Sequence, residues 1–205
     1  MSIPTTKNCA LCRTVYEPDE ESHIVPAFVY RWLKASSTTG FMRFGPQINQ
    51  RAQDGIKNYF LCRSCEDHFE KHETKFAAEV FHPFVQDNSH SMDYDEYLLK
   101  FAVSVSWRVL AYNKAKWGLK HFRERHGLAV EKTLSVWTDY LLDRTGDIGS
   151  HEIHLLPFCG VVDHMTVDVP KNIKNSYEKN LARFEHSDTY LAVLLDLELQ
   201  QKNKT

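Results

Sequence analysis

The chain has 205 residues and a mass of 23.9 kDa, a length that suits one domain or one domain with a small appended module. Apolar residues make up 42% of it and charged residues 25%, which is ordinary for a globular chain and excludes a disordered tail, a collagen-like fibre and a membrane bundle. The N-terminus lacks the apolar stretch of a secretion signal. We therefore expect a cytoplasmic protein in a reducing compartment, without membrane partners.

The net charge of −2 and the isoelectric point of about 6.6 do not by themselves indicate a nucleic-acid-binding protein. The local charge is more informative, because the segment from Lys100 to Arg125 contains seven basic residues and one acidic residue. A chain that is nearly neutral overall can still carry a strongly positive face. The sequence predicts such a face in the second half of the chain.

Four of the five cysteines form two pairs of the same spacing, Cys9-x-x-Cys12 and Cys62-x-x-Cys65. Two thiolates three positions apart can both reach one ion from a tight turn, so two such pairs predict a tetrahedral structural zinc site. The 49 residues between the pairs are tolerable, since the entropic cost of closing a loop grows only logarithmically with its length. A redox pair would need a βαβ context that is absent, and unrelated core cysteines are the other alternative. The fifth cysteine, Cys159, is predicted to be a buried apolar side chain.

The segment between the cysteine pairs contains the sequence Ser-His-Ile-Val-Pro at residues 22–26 and then an asparagine-bearing loop around Asn49. The second pair opens a helical segment, residues 66–73, that is rich in side chains able to bind a metal ion. Over residues 9–82 this order resembles the HNH (His-Me finger) endonuclease family, in which a ββα core is often braced by a zinc ion on four cysteines. The residues of these motifs also resemble those of a group of uncharacterised bacterial HNH-like proteins.

The resemblance implies an α+β fold, with a zinc-braced ββα module of the treble-clef or HNH type in residues 1–85 and a mainly α-helical half after it. It also implies a metal-dependent endonuclease that hydrolyses the phosphodiester bonds of DNA or RNA. His23 matches the general base that deprotonates the attacking water, a role that suits imidazole because its unperturbed pKa is about 6.5. Asn49 is the nearest match to the asparagine that orients the base, although Asn58 also lies between the cysteine pairs.

The sequence departs from the family's pattern where the catalytic metal ion would bind. Family members usually have Asp or His before the base, whereas this chain has Ser22, which is a poor ligand for Mg²⁺. Glu66 replaces the family's histidine after the second cysteine pair, and with Glu70 it is the expected ligand of one catalytic Mg²⁺ or Mn²⁺ ion. Helical spacing places these two carboxylates on one face, and His68 and His72 on a neighbouring face.

Apolar residues recur at helical spacing after the second cysteine pair. Phe69, Phe76 and Val80 predict that this helix packs one apolar stripe inward. Pro83 is predicted to end it, because proline cannot continue a helix without losing a backbone hydrogen bond.

The polar segment 86–91 is the predicted boundary between two modules. Residues 92–205 are predicted to form a mainly helical module with a short β-hairpin near residues 151–162. Residues 93–96 should cap a long helix that is apolar over so much of its circumference that we expect it to be central and buried.

After that helix, between Lys114 and Arg125, basic residues alternate with aromatic ones. Such a segment could contact phosphates by charge and bases by stacking. The alternative is that the charges are a solvated face at a helix end while the aromatic side chains belong to the core. The candidate nucleic-acid contacts are Lys114, Lys116, Trp117, Lys120 and Arg123.

Two functions of different kinds follow from these motifs. The first is the HNH-type endonuclease, which by resemblance serves as an effector subunit of a bacterial restriction or antiviral defence system, with nucleic acid and a protein partner or larger complex as its partners. The second is a catalytically inactive zinc-binding module for nucleic acid or protein, which Ser22 favours because it removes a metal ligand. A purely structural subunit is a third hypothesis. Glu66 near the His23 ring in an open cleft would favour catalysis, and Glu66 paired with a core arginine would favour binding.

Overall fold

A computed structural model describes residues 6–18, 21–37, 39–44, 47–87, 93, 95–118 and 124–151. In this part of the chain, small strands near the N-terminus are followed by longer helices, which confirms an α+β, mostly helical protein. The strands are β1 (Lys7–Asn8), β2 (Val15–Tyr16), β3 (Ser22–His23), β4 (Met42–Phe44), β5 (Gln47–Ala52) and β6 (Lys57–Asn58). The helices are α1 (Ala27–Ser36), α2 (Arg63–Phe76), α3 (His82–Asp87), α4 (Glu96–Trp117) and α5 (Glu124–Leu141). A π-helical turn, Ala77–Phe81, separates α2 from α3.

The strands form three antiparallel pairs, β1 with β2, β3 with β6, and β4 with β5. The chain divides into two compact units, the first made of Met1–Tyr30 and Asp54–Gly149 and the second of Arg31–Gln53 and Ser150–Thr205. The predicted module boundary at residues 86–91 stays a prediction.

The second unit contains the β4–β5 hairpin. Met42 pairs with Ala52 in its ladder, and Asn49 lies on β5. The Lys34 ammonium donates a hydrogen bond to the carbonyl of Gln53 at 3.0 Å. The β-hairpin predicted near residues 151–162 lies, apart from residue 151, outside the described residues.

The helix after the second cysteine pair buries the predicted stripe, since Phe69, Phe76 and Val80 are all less than 5% exposed. The prediction that Pro83 ends this helix is wrong. The chain stays helical through the π-helical turn, where the backbone N–H of His82 reaches the carbonyl of Ala77, and continues as α3. Pro83 is tolerated because it falls in the first turn of α3, where its missing N–H would have had no partner within that helix.

Helix α4 is the central helix of the first unit, as predicted. The Asp95 carboxylate caps it by accepting a hydrogen bond from the N–H of Tyr97 at 2.9 Å. Every residue from 100 to 108 is buried. Lys100 and Arg108 are therefore inside the protein, and the prediction that they belong to a positive outer face is wrong for these two.

Aromatic side chains join α2, α4 and α5 in one core. The rings of Phe76 and Phe101 stack with their centroids 3.8 Å apart. Trp107 packs against Phe69, and its indole N–H donates to the Thr138 hydroxyl of α5 at 2.9 Å. In the described part of the chain, no helix is both long enough and apolar enough to cross a membrane.

Candidate functional site

The first cysteine pair lies in the turn that joins β1 to β2. The N–H of Cys9 donates to the carbonyl of Thr14 at 2.8 Å, and the N–H of Arg13 donates back to the carbonyl of Cys9 at 3.0 Å. Arg13 has a φ of 68°, so this turn closes only with one residue in the left-handed region. The turn directs Cys9 and Cys12 toward the same point.

The second cysteine pair lies at the start of α2. Cys62 is the residue before the helix, and its carbonyl accepts from the N–H groups of Cys65 and Glu66, both at 3.0 Å. The two pairs are tied together because the N–H of Ala10 donates to the carbonyl of Phe60 at 2.7 Å. A hairpin turn and a helix start thus face each other.

The four thiols form a compact cluster. All four sulfur atoms lie within 4.8 Å of one another, and the Sγ atoms of Cys12 and Cys62 are 3.6 Å apart. A tetrahedral zinc ion with Zn–S bonds of about 2.3 Å has sulfur atoms about 3.8 Å apart. The backbone N–H of Cys62 also donates to the sulfur of Cys9 at 3.4 Å. Among the described residues this is the one group of three or more potential ligands that lie so close together.

The electrostatics of the cluster also fit a bound cation. A hydrogen bond from Cys65 lowers the pKa of the Cys9 thiol to about 4, and the same contact raises the pKa of Cys65. The four sulfur atoms alone therefore stabilise one thiolate at the expense of its neighbours. A divalent ion allows all four cysteines to be thiolates, which is the form that zinc binds. The cluster fits the structural zinc site that the spacing predicts.

His23 lies beside an aspartate that the sequence did not single out. On β3 it pairs with Lys57 of β6, and its Nε2 lies 3.0 Å from Oδ1 of Asp54. The Lys57 ammonium lies 2.6 Å from the other carboxylate oxygen, and the N–H of Gly55 donates to Oδ1 at 2.8 Å. Burial opposes ionisation of Asp54, but hydrogen bonds from Lys57, His23 and Gly55 outweigh it and hold its pKa well below its usual range. Asp54 is therefore a carboxylate at neutral pH.

A tyrosine holds this turn in place. The ring of Tyr30 stacks on the ring of His23 with centroids 5.9 Å apart. The same ring lies against Gly55, where a Cβ atom would be only 2.0 Å from two of its carbon atoms. Position 55 therefore admits no side chain without moving Tyr30. The Asp54–Gly55 turn and the His23 ring are held by one aromatic side chain.

A buried arginine from α4 lies beneath the same strand. Arg108 is 1% exposed, and its Nη1 donates to the backbone carbonyl of His23 at 3.1 Å. Its Nη2 forms a short ion pair with the Glu73 carboxylate of α2, and its Nε donates to the carbonyl of Ser104 at 3.4 Å. One guanidinium thus links β3, α2 and α4.

Glu66 lies near Ser22, the other departure from the family's pattern, and feels the charge of the Arg108 guanidinium. Ser22 is 3% exposed, and neither its hydroxyl nor Oε1 of Glu66 has a hydrogen-bond partner in the described part of the chain. Burial raises the pKa of Glu66, and the nearby Ser22 hydroxyl and Arg108 guanidinium oppose this only in part. The carboxylate paired with the core arginine is that of Glu73 rather than Glu66.

The remaining predicted site residues, Glu70 and Asn49, are on other elements of the structure. Glu70 is exposed on α2, and Asn49 belongs to the second unit, whereas His23 belongs to the first. The partner of the His23 ring in the structure is Asp54, which could have been noticed as the start of an Asp-Gly turn between two strands. Nothing in the sequence distinguished Arg108 from the other basic residues.

The predicted nucleic-acid contacts are partly described. Lys114 forms an ion pair with Glu131 of α5 at 3.1 Å. The Lys116 ammonium lies 4.9 Å from the centroid of the Trp117 ring, and Trp117 is 54% exposed at the end of α4. Lys120, Arg123 and Cys159 lie outside the described residues.

No family model, curated protein or solved structure matches this chain. What its own residues establish is a four-cysteine cluster that fits zinc, within an α+β and mostly helical protein. The geometry around the cluster and around His23 therefore carries the functional argument.

Proposed function

We propose that the chain is a zinc-braced endonuclease of the HNH type that hydrolyses phosphodiester bonds in DNA or RNA, with His23 as its general base. The observation that carries this proposal is the 3.0 Å contact between Nε2 of His23 and Oδ1 of Asp54. This contact fixes the orientation of the base on the β3–β6 strand pair. That strand pair and the helix α2 begin beside the cysteine cluster.

The carboxylate prepares His23 for proton transfer. Ionised Asp54 accepts the proton on Nε2 and so selects the tautomer in which Nδ1 carries the lone pair. In the described part of the chain, no hydrogen bond to Nδ1 of His23 is found, which leaves it available to take a proton from water. Asp54 then performs the orienting role that the resemblance suggested for Asn49. General-base catalysis of this kind contributes about 10²–10⁴-fold to a rate.

Zinc in this proposal has a structural role. With four thiolate ligands the ion has no open position for water or substrate. It fixes the β1–β2 turn against the start of α2. In sequence, the strands β3 and β6, which pair with each other and carry His23 and Lys57, lie between these two pieces of chain. We infer that loss of zinc removes the support of the base rather than a reacting group.

The resemblance also implies a catalytic Mg²⁺ or Mn²⁺ ion, which would stabilise negative charge on the phosphate. Among the described residues, the carboxylates that the resemblance offers do not form a site for it. Glu66 lies near Ser22 and Arg108, Glu73 is paired with Arg108, and Glu70 is exposed. We assign no step to such an ion. The positive charge near His23 comes from the Lys57 ammonium, which is 31% exposed.

The second candidate function is a catalytically inactive zinc-binding module that binds nucleic acid or protein. The buried Arg108 favours it, because a fixed guanidinium lies beside the carboxylates that would otherwise bind a metal ion. The exposed Trp117, with Lys116 beside its ring, offers a surface that could stack on a base and contact a phosphate. This module would keep its zinc and its fold without cleaving anything.

Cleavage of supercoiled DNA and of a folded RNA by the zinc-loaded full chain tests the two candidates, with Mg²⁺ or Mn²⁺ added. We expect cleavage by the natural chain, a loss of about 10²–10⁴-fold in His23→Ala and a smaller loss in Asp54→Asn. His82→Gln on α3 is the matched control and should cleave normally. Zinc content and melting temperature show whether each variant is folded. Absence of cleavage by the natural chain on both substrates would contradict the nuclease and favour the binding module, which a gel-shift assay with Trp117→Ala would then examine.

A further inference from the structure

The segment Arg31–Gln53 of the second compact unit carries an unbalanced positive charge. It contains four basic residues and neither Asp nor Glu. The four are Arg31 and Lys34 on α1, Arg43 on β4 and Arg51 on β5. Residues 152–205 contain eight acidic and six basic residues, and their net charge of −2 is too small to neutralise all four. The excess charge favours an anionic partner from outside the chain.

Two of these basic residues occupy opposed positions of the β4–β5 ladder. Arg43 pairs with Arg51 in its register. Like charges at directly opposed positions destabilise a strand pair, and the segment has no acidic residue that could relieve the repulsion. An anion bound at this pair would remove the repulsion.

The cations on either side of the ladder are held in place without carboxylate partners. The guanidinium carbon of the exposed Arg51 lies 4.2 Å from the centroid of the Phe41 ring. The Lys34 ammonium uses one of its three donors on the carbonyl of Gln53. In the part of the chain that the structure describes, Arg31, Lys34 and Arg51 form no ion pair with a carboxylate. Ammonium and guanidinium groups of this kind are suited to phosphate.

The shape of the hairpin distinguishes between anionic polymers. In the described part of the chain, β4 and β5 pair only with each other and form a two-stranded ribbon. The major groove of B-DNA admits such a ribbon, whereas that of duplex RNA is too deep and narrow for side chains to read. The sequence of β5 includes Gln47, Asn49, Gln50 and Arg51. Arginine with guanine, and Asn or Gln with adenine, are the common side-chain pairs in the major groove.

We propose that residues 31–53 are a binding surface for duplex DNA, in which the β4–β5 ribbon enters the major groove and the basic residues neutralise phosphates. The proposal deepens the proposed function, because it names the nucleic acid. It rests on that function for the use of bound DNA as a substrate, whereas binding itself requires no catalysis.

The test is the affinity of the zinc-loaded full chain for a short labelled DNA duplex, measured by fluorescence anisotropy without added Mg²⁺ or Mn²⁺. Arg51→Gln should weaken binding about tenfold and reduce the slope of log affinity against log salt concentration by about 0.9. Arg51→Lys keeps the charge and should keep the slope. A duplex RNA of the same sequence should bind more weakly, and so should DNA whose major groove is filled by glucose on its cytosine bases.

Lys71→Gln is the matched control, because it removes one positive charge from an exposed position on α2 in the first unit. It should bind DNA as the natural chain does. Equal affinities of Arg51→Gln and the natural chain would overturn the proposal, as would equal weakening in Lys71→Gln. RNA bound as tightly as DNA, or glucosylated DNA bound as tightly as plain DNA, would also overturn it.

Cleavage is a separate measurement. A chain that binds DNA in the predicted way but cleaves none would contradict the proposed nuclease alone. A chain that cleaves DNA while Arg51→Gln binds normally would contradict the binding surface alone. Melting temperatures show whether the variants are folded, and if Arg51→Gln is not, Arg31→Gln and Lys34→Gln decide the matter.

Discussion

The cysteine cluster and the surroundings of His23 belong to the same compact unit, but they are held together in different ways. The cluster uses four equivalent side chains, two from a hairpin turn and two from a helix start, and one ion would satisfy all of them. The histidine is held by groups from a turn and two helices: Asp54 contacts its ring, Tyr30 stacks on that ring, and Arg108 donates to its backbone carbonyl.

This difference predicts two kinds of response to substitution. Removal of one zinc ligand should remove the whole cysteine site, because three thiolates cannot replace four in a closed structural site. Around His23 several groups share partners, so each single substitution should have a smaller effect, and effects of neighbouring substitutions should not simply add.

Cys62→Ser should abolish zinc binding at the cysteine cluster and unfold the β1–β2 turn. Structural zinc in small domains binds with about 10–16 kcal/mol at pH 7, and that free energy is largely the free energy of folding. Thiolate-to-Co²⁺ absorption and limited proteolysis measure the two effects. Cys159→Ser is the control and should leave both unchanged. A Cys62→Ser variant that keeps its thiolate-to-Co²⁺ absorption would contradict the prediction that the four cysteines bind one ion as a unit.

Arg108→Met should lower the free energy of unfolding by about 3–5 kcal/mol, since it leaves a carboxylate buried without its partner. The Glu73 side chain is only 18% exposed, so water cannot fully replace the guanidinium. Urea denaturation measures the loss. The double variant Arg108→Met, Glu73→Gln should recover part of it, because no unpaired charge is then buried. A loss below about 1 kcal/mol in the single variant would contradict the buried ion pair.

Gly55→Ala should cost about 1–3 kcal/mol, the usual cost of an extra methyl group in a packed site. The new Cβ would overlap the Tyr30 ring, which also stacks on His23. Tyr30→Ala combined with Gly55→Ala should be less destabilised than the sum of the two single variants, as measured by urea denaturation. Additive effects would show that Tyr30 does not hold the turn. Gly40→Ala is a control for glycine replacement in the other unit, with open space around its Cβ position but a strained φ of 68°.

Asp54→Asn should have the smallest effect on stability, because the carboxylate is 40% exposed. The folded protein lowers the pKa of Asp54, so its ionised form contributes stability above the unfolded pKa of about 3.9 and loses that contribution as the pH falls through the folded value. The difference in unfolding free energy between natural chain and variant should therefore shrink below about pH 4. Denaturation at a series of pH values measures it, and a difference that stays constant in acid would contradict the assigned pairing.

The cysteine site could be predicted from sequence because both halves of it are local. A Cys-x-x-Cys spacing carries its geometry within four residues, and only the meeting of the two halves depends on the fold. The inward stripe at Phe69, Phe76 and Val80 is predictable for the same reason, since helical periodicity is a local property. The cap at Asp95 is a third local signal that the structure bears out.

The surroundings of His23 could not be predicted, because they depend on contacts between distant parts of the chain. Asp54 lies 31 residues after His23, and Arg108 lies 85 residues after it. In sequence, Arg108 is one basic residue in a run of basic residues, and its burial follows from the position of α4 rather than from its neighbours. The prediction that Pro83 ends the helix is wrong for a related reason, since the helix restarts after the π-helical turn at a position where proline is tolerated.

The turn at Arg13 has a consequence for how fast the metal ion can be exchanged. The left-handed conformation of Arg13 costs a residue with a side chain about 1–2 kcal/mol, and the adjacent ligand Cys12 holds the turn in that conformation. Cys9 and Cys65 are buried, whereas Cys12 and Cys62 are partly exposed, and of these two only Cys12 lies in the strained turn. We therefore expect a chelator or a metal-delivery protein to attack at Cys12. The turn then relaxes, and the remaining ligands dissociate from the ion one after another. The residence time of zinc would then depend on the opening of one short turn, and Arg13→Gly, which removes the strain, would lengthen it.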